Sequence, residues 1–132
     1  MRKFNYTFVL GLLFVLTVGC EKKDDVITSI QQDQLELNRK YSSIMKYINL
    51  EDVGENISCQ SLPIGSKACG GPQGYVAFPE SINQAELEKM IKEYTDLERD
   101  YNEKWKIISD CSHVSPPIEV IVQNGKCKAV FN

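Results

Sequence analysis

The sequence predicts an α+β fold: a small antiparallel sheet packed on one long helix (81–109), preceded by an N-terminal helix (26–49), and stapled by two disulfides. Three observations predict it: two long stretches with helical spacing of apolar residues, short β-rich runs on both sides of the second stretch, and four cysteines within the last 75 residues. A chain of 132 residues suits one such domain.

The first 19 residues have the pattern of a secretory signal peptide. Arg2 and Lys3 precede sixteen uncharged residues, 4–19, and a charged run follows at 21–25. A transmembrane anchor is the alternative, but it needs about 20 apolar residues. The length therefore favours a cleaved signal peptide over 1–19.

The end of this segment resembles a bacterial lipobox. In Leu16-Thr17-Val18-Gly19-Cys20, a small residue precedes a cysteine whose thiol can be acylated; Thr17 stands where leucine is usual. Lys22-Lys23-Asp24-Asp25 is similar to the export signal of surface lipoproteins of the Bacteroidota. The resemblance implies a lipid on Cys20, a charged tether over 20–25 and membrane attachment through that lipid, in the outer membrane and on its surface or periplasmic side. An ordinary cleavage site and a plain solvated linker are the alternatives.

The segment 26–56 is predicted to be the N-terminal helix and its linker. Its apolar residues follow a three-four spacing, with Gln34 as a polar interruption: Ile27, Ile30, Leu37, Tyr41, Ile44 and Ile48. Because only about three heptads are present, packing within the chain is favoured over a coiled-coil stalk between chains.

The remaining segment, 57–132, is predicted to be the disulfide-stapled α+β domain. Its long helix is expected to begin with Ser81 as N-cap and Gln84 as the reciprocal partner of a capping box. Short strands are predicted at 57–62, 74–78, 118–122 and 126–131, and Asn124-Gly125 between the last two is a strong hairpin signal.

The helix carries one apolar face, formed by Leu87, Met90, Tyr94, Leu97, Tyr101 and Ile108, with Trp105 beside it. Such an aromatic stripe is more often core than a ligand site.

The even set Cys59, Cys69, Cys111 and Cys127 in a short exported chain predicts two disulfides. A zinc site would need closer pairs. Three connectivities are possible. Two local bridges are compatible with the turns, whereas cross-pairing, such as Cys59–Cys127 with Cys69–Cys111, would constrain the unfolded chain more.

A series of short motifs resembles a family of small secreted bacterial lipoproteins with an S-K-x-C-G-G-P segment and a closing N-G-K-C. Residues 66–72 and 124–127 match these two motifs, and the similarity covers about residues 57–130. Between them lie Tyr75, Tyr94, Tyr101-Asn102, Ser109-Asp110-Cys111 and Pro116-Pro117. The resemblance implies a disulfide-stapled exported domain and adds no catalytic residue.

No motif in the chain predicts an enzyme, a metal site or a cofactor. The near-neutral formal charge of −3 argues against nucleic acid. The glycines of 69–74 lack the Lys-Ser/Thr of a phosphate loop and predict a tight turn. His113 is the only histidine, so it has no histidine partner for a metal, and no G-x-S-x-G elbow is present.

One segment carries a functional hypothesis. The loop after Cys111 contains His113, Ser115, Pro116 and Pro117, and prolines restrict an unbound loop. The favoured function is a non-enzymatic module that binds an envelope protein or glycan; the alternatives are an inhibitor or immunity-type protein against a hydrolase or toxin, and then a small hydrolase. An ordinary solvent loop is the simplest reading of the segment itself.

Overall fold

The computed structural model describes residues 22–50, 53–54 and 56–132, and it confirms the α+β fold with two disulfides. The elements are α1 (Lys22–Ile48), β1 (Cys59–Ile64), β2 (Gly74–Pro79), α2 (Gln84–Trp105), β3 (Glu119–Gln123) and β4 (Lys126–Val130). The predicted signal peptide, 1–19, and the predicted lipobox cysteine, Cys20, lie outside the described residues.

The two helices run antiparallel and pack side by side. In the middle of α2, the Lys40 ammonium lies 3.0 Å from the Glu93 carboxylate. At the far end of α2, the Asp33 carboxylate accepts hydrogen bonds from Lys104 and from the Trp105 indole at 2.6 and 2.8 Å. These contacts show that α1 packs on its own domain, as the intramolecular interpretation predicts.

One apolar core joins both helices to the first hairpin. Each of the three elements contributes three buried side chains: Leu37, Ile44 and Ile48 from α1, Ile64, Val76 and Phe78 from β1–β2, and Leu87, Ile91 and Tyr94 from α2. Half-buried Met90, Leu97 and Tyr101 pack around them, so most of the predicted apolar face of α2 belongs to the core. Ile108 does not, because it lies beyond the end of α2 and is 92% exposed.

The strands form two separate antiparallel hairpins, where the sequence predicted one small sheet. Strand β1 pairs with β2, with Cys59 opposite Pro79, and β3 pairs with β4. Pro63 and Pro79 have no backbone N–H, which prevents the first hairpin from extending a regular ladder at those positions. A disulfide, Cys59–Cys127, links the two hairpins instead.

The turn of the second hairpin is the one that the Asn-Gly pair predicts. Asn124 and Gly125 have φ values of 53° and 71°, the left-handed pair that a two-residue hairpin turn requires. The Gly125 carbonyl also accepts the Val53 N–H at 2.9 Å, so the turn contacts the segment after α1.

Both ends of α2 differ from the prediction. The N-cap is Asn83, whose side-chain oxygen accepts the Glu86 N–H at 3.3 Å, and not Ser81. Ser81 lies in a turn closed by the Ile82 N–H and the Pro79 carbonyl, because β2 runs up to Pro79. The helix ends at residue 105 and not at 109, because the next residue takes a left-handed conformation.

Helix α1 begins four residues earlier than predicted and includes most of the predicted tether. No proline or glycine interrupts 22–36, so no residue of this stretch breaks a helix. The charged composition of 21–25 predicted a tether, but charged residues are compatible with a helix as well as with a linker.

The disulfides are cross-paired and nested. Cys59–Cys127 closes a loop of 68 residues, and Cys69–Cys111 closes a loop of 42 residues inside it. This is the cross-pairing that sequence analysis named, and it ties β1 and the loop between β1 and β2 to the chain beyond α2.

Candidate functional site

The loop that sequence analysis singled out is irregular and exposed. Residues 111–117 lie between the end of α2 and the start of β3 without helix or strand. His113, Ser115 and Pro116 are exposed, and Val114 and Pro117 are half-buried. We call residues 112–117 the braced loop, because fixed contacts hold both of its ends.

The two ends of the braced loop are held by different bonds. On one side, Cys111 is bonded to Cys69, in the turn that precedes β2. On the other side, the Ile118 N–H donates to the Val130 carbonyl at 2.9 Å, which joins the loop to the second hairpin. The loop is therefore exposed without being free at either end.

Lys67 adds a third support, which the sequence did not predict. Its side chain is 9% exposed, and its ammonium donates to Asp110 Oδ1 at 3.1 Å, to the Ser112 carbonyl at 2.7 Å and to Ser112 Oγ at 2.8 Å. These three acceptors satisfy the donor capacity of an ammonium.

Asp110 completes this support at the surface. Its carboxylate accepts the Ser112 N–H at 3.1 Å and the Ser112 hydroxyl at 2.8 Å. These bonds and the one from Lys67 lower the pKa of Asp110 to about 2, so the carboxylate is ionised at neutral pH.

The loop that carries Lys67 is itself fixed on one face of α2. The Gly65 N–H donates to Thr95 Oγ1, the Ser66 N–H donates to Glu98 Oε2 at 2.6 Å, and Asn102 donates to the Ser66 carbonyl at 2.7 Å. Thr95, Glu98 and Asn102 are three and four residues apart, which places them on one side of the helix.

Glycine is required where this loop leaves β1. Gly65 has a φ of 78°, and a Cβ at this position would collide with the Glu98 carboxylate. After Lys67 the chain turns back, with hydrogen bonds from Lys67 N–H to the Gly71 carbonyl and from Gly70 N–H to the Lys67 carbonyl. Gly70 and Gly71 both have positive φ, as expected for the predicted tight turn.

Tyr94, a core residue of α2, holds the Glu98 carboxylate in place. The Tyr94 hydroxyl donates to Glu98 Oε1 at 3.1 Å, while Oε2 accepts from the loop. Burial, followed by the nearby carboxylate, raises the pKa of Tyr94 well above its usual range, so the phenol stays protonated as a donor. A chain of hydrogen bonds thus runs from the core to the loop that carries Lys67.

Lys67 and Ser112 lie close together, but they are not arranged as a general base and the serine nucleophile that it activates. A serine is activated by a neutral amine or imidazole that can accept its proton. Here the amine is ion-paired with Asp110, and the serine hydroxyl donates to that same carboxylate. Among the described residues, no cluster of three or more His, Cys, Asp or Glu side chains could hold a metal ion.

A recess of about 400 Å³ adjoins the braced loop. It lies between the turn that carries Lys67 and the last turns of α2. Its walls include Ala68, Arg99, Lys106 and Ile107. Lys67, whose ammonium contacts Ser112 of the braced loop, is also among the residues that line the recess.

Sequence reasoning found the loop and the cysteines but missed the side chains that fix them. Lys67 and Asp110 are inside the motifs that carry the family resemblance, but their types do not reveal that they meet across 43 residues. The available signal was the spacing of Thr95, Glu98 and Asn102, which places three polar side chains on one side of α2.

Comparisons with known proteins identified no similar protein. No family model, no curated protein and no solved structure matches the chain. Within the part of the chain that the structure describes, neither helix is long and apolar enough to span a bilayer.

Proposed function

We propose that this chain is a lipid-anchored lipoprotein of the bacterial cell envelope, and that its stapled domain is a non-enzymatic binding module. The braced loop is its contact with an envelope protein or glycan. The lipid on Cys20 would hold the module at the outer membrane, facing the surface or the periplasm.

The exposed yet fixed state of the braced loop carries this proposal. A loop that is ordered before binding loses less conformational entropy on association. The disulfide at Cys111, the Lys67 contacts to Ser112 and the bond from Ile118 to β4 provide that order, while the side chains of His113, Ser115 and Pro116 face solvent.

The same feature favours one specific form of binding, inhibition of a foreign hydrolase or toxin. An inhibitor loop must keep its shape when it enters a partner's cleft, and two prolines together with supports at both ends suit that need. This second candidate differs from the first in the partner and in the outcome of binding, not in the contact surface.

The lipid anchor is tested by the intact mass of the membrane-extracted protein. Acylation of Cys20 predicts a mature chain that begins at Cys20 and is heavier by its acyl groups, and four thiols that react only after reduction. A Cys20→Ala variant should leave the membrane fraction. An unmodified, soluble chain would contradict the anchor, and free thiols before reduction would contradict the export of the domain.

The contact surface is tested by photo-crosslinking in cells. A photoreactive residue at position 113 should capture a discrete partner, while one at Ser42, on the exposed side of α1, serves as the matched control. The purified partner should then bind a Pro116→Ala, Pro117→Ala double variant at least tenfold more weakly, with unchanged stability. Equal capture from both positions, or unchanged affinity, would remove the braced loop as the contact; inhibition of the captured protein would identify the second candidate.

A further inference from the structure

Helix α1 leaves very little free chain between the domain and the proposed lipid anchor. It begins at Lys22, two residues after Cys20, and continues to Ile48. Two residues span at most about 7 Å even when they are fully extended. The start of α1 is therefore held close to the anchored residue, and the direction of α1 decides which end of the domain is nearer to the membrane.

The braced loop belongs to the end of the domain that is nearer to this anchor. Asp33 contacts the last turn of α2, which runs antiparallel to α1 and points back toward Lys22. Asn102, in that last turn, binds the loop that carries Lys67, and Lys67 in turn holds Ser112. The start of the braced loop is thus fixed beside the end of α2.

The turn of the second hairpin lies at the opposite end. The Lys126 ammonium donates to the Asn49 carbonyl at 3.1 Å, so this turn adjoins the end of α1. At a rise of 1.5 Å per residue, the end of α1 is about 40 Å from Lys22, whereas Asp33 is only about 16 Å from it. For any tilt of α1 that carries the domain away from the bilayer, the end with the braced loop is the nearer one.

The first turns of α1 act as a spacer of limited height. None of residues 27–36 is buried, and Leu37 is the first described side chain of α1 that enters the core. With α1 upright, the gap between the bilayer and this end of the domain is about 16 Å, or about 23 Å if the two preceding residues are extended. A small folded domain is about 30 Å across and does not fit this gap. The short exposed part of a membrane-embedded protein does fit.

Exposed apolar side chains lie on both sides of the braced loop. Ile108 precedes the loop and Ile118 follows it, and they are 92% and 63% exposed. The register of β3 and β4 places Phe131, which is also exposed, opposite Ile118 at the open end of the hairpin. These side chains supply the apolar area that the core of a protein interface requires.

We propose that the braced loop, together with Ile108, Ile118 and Phe131, contacts the exposed part of a protein embedded in the same membrane. This inference rests on the proposed lipid anchor and binding function, and it specifies the class of partner. The height of the spacer selects this occupant, because the gap is too narrow for a folded protein from the medium and too wide for side chains to reach the bilayer.

Energy transfer to labelled lipid headgroups measures the height of each end of the domain. The acylated protein is reconstituted in phosphatidylethanolamine–phosphatidylglycerol vesicles, with a donor dye on a genetically encoded residue at the exposed position 115 or, as the matched control, at the exposed position 123. Transfer from position 115 should be higher by about twofold or more, because α1 carries the hairpin turn farther from the bilayer. Equal or reversed transfer would overturn the orientation, whereas a purified protein without an acyl group would refute the anchor itself.

A seven-residue helical insertion between Asp25 and Val26 raises the domain by about 10 Å. It should lower transfer from position 115 and, in cells, reduce photo-crosslinking from position 113 at least tenfold without changing acylation. The same seven residues appended after Asn132 are the matched control and should change neither signal. Transfer that the insertion does not lower would assign this end of the domain to the bilayer itself. Capture of a soluble protein at position 113 would overturn the membrane-embedded partner and retain the binding role of the loop.

Discussion

The nesting of the two disulfides makes a quantitative prediction: the cost of removing one bridge depends on the other. Cys59–Cys127 alone closes 68 residues, but when Cys69–Cys111 is intact the remaining open path is only about 26 residues. Loop-closure entropy then gives the outer bridge ~3.5 kcal/mol with the inner bridge present and ~4.4 kcal/mol without it. The two bridges should therefore be coupled by ~0.9 kcal/mol.

Four proteins measure this coupling: the parent, each variant with one bridge replaced by two alanines, and the variant without bridges. Urea unfolding followed by far-ultraviolet circular dichroism gives the free energy of unfolding of each, in a constant concentration of sucrose if the variant without bridges needs stabilisation. Replacing Cys59 and Cys127 should cost more when Cys69 and Cys111 are already alanine. Equal costs in both backgrounds, as for two independent local loops, or the opposite order would refute the nested-loop reasoning.

Three further predictions concern the core, a helix end and the braced loop. Phe78→Ala should lower the free energy of unfolding by ~3–5 kcal/mol, since Phe78 is 1% exposed, whereas Phe131→Ala at an exposed site should change it by less than ~0.5 kcal/mol in the same urea experiment. Asn83→Ala should cost ~1 kcal/mol through loss of the N-cap, and Ser81→Ala should be nearly neutral; the reverse order would restore Ser81 as the cap. Because the pKa of Asp110 is lowered to about 2, its carboxylate should support the loop fully above pH ~4 and lose this role as the pH falls through about 2. Protection of the amides of residues 110–113 from hydrogen exchange should decrease as Asp110 is protonated. The Asp110→Asn variant should lack this pH dependence of protection.

The parts of the fold that the sequence predicted are those determined by local patterns. Periodic apolar residues located both helices, and Asn124-Gly125 located the second hairpin, because spacing and turn chemistry act over a few residues. The even cysteine count predicted two bridges, but their pairing could only be ranked, since it depends on where the fold brings distant residues.

The helix boundaries and the sheet were harder to predict because competing local signals were present. Ser81 and Asn83 are both good N-caps, and the extension of β2 to Pro79 decided between them. Lys106 has no sequence signature as a helix end, since a lysine normally continues a helix. The strands form two hairpins because no strand of one hairpin pairs with a strand of the other in the described residues. The spacing of apolar residues along a strand does not indicate which strands pair.

Apart from its disulfide, the braced loop is fixed by polar contacts that contribute little to global stability, and this supports the proposed role in binding. The contact of Lys67 with Asp110 is made at an exposed carboxylate, where ion pairs are weakly stabilising. The core residues of α1, α2 and the first hairpin lie elsewhere, and none of residues 112–117 is fully buried. Glu98 and Asn102 satisfy half-buried backbone groups of Ser66, whereas Lys67 extends this support to the exposed residue Ser112. An ordered, exposed loop loses less entropy on association, which is the physical reason for the binding role proposed above.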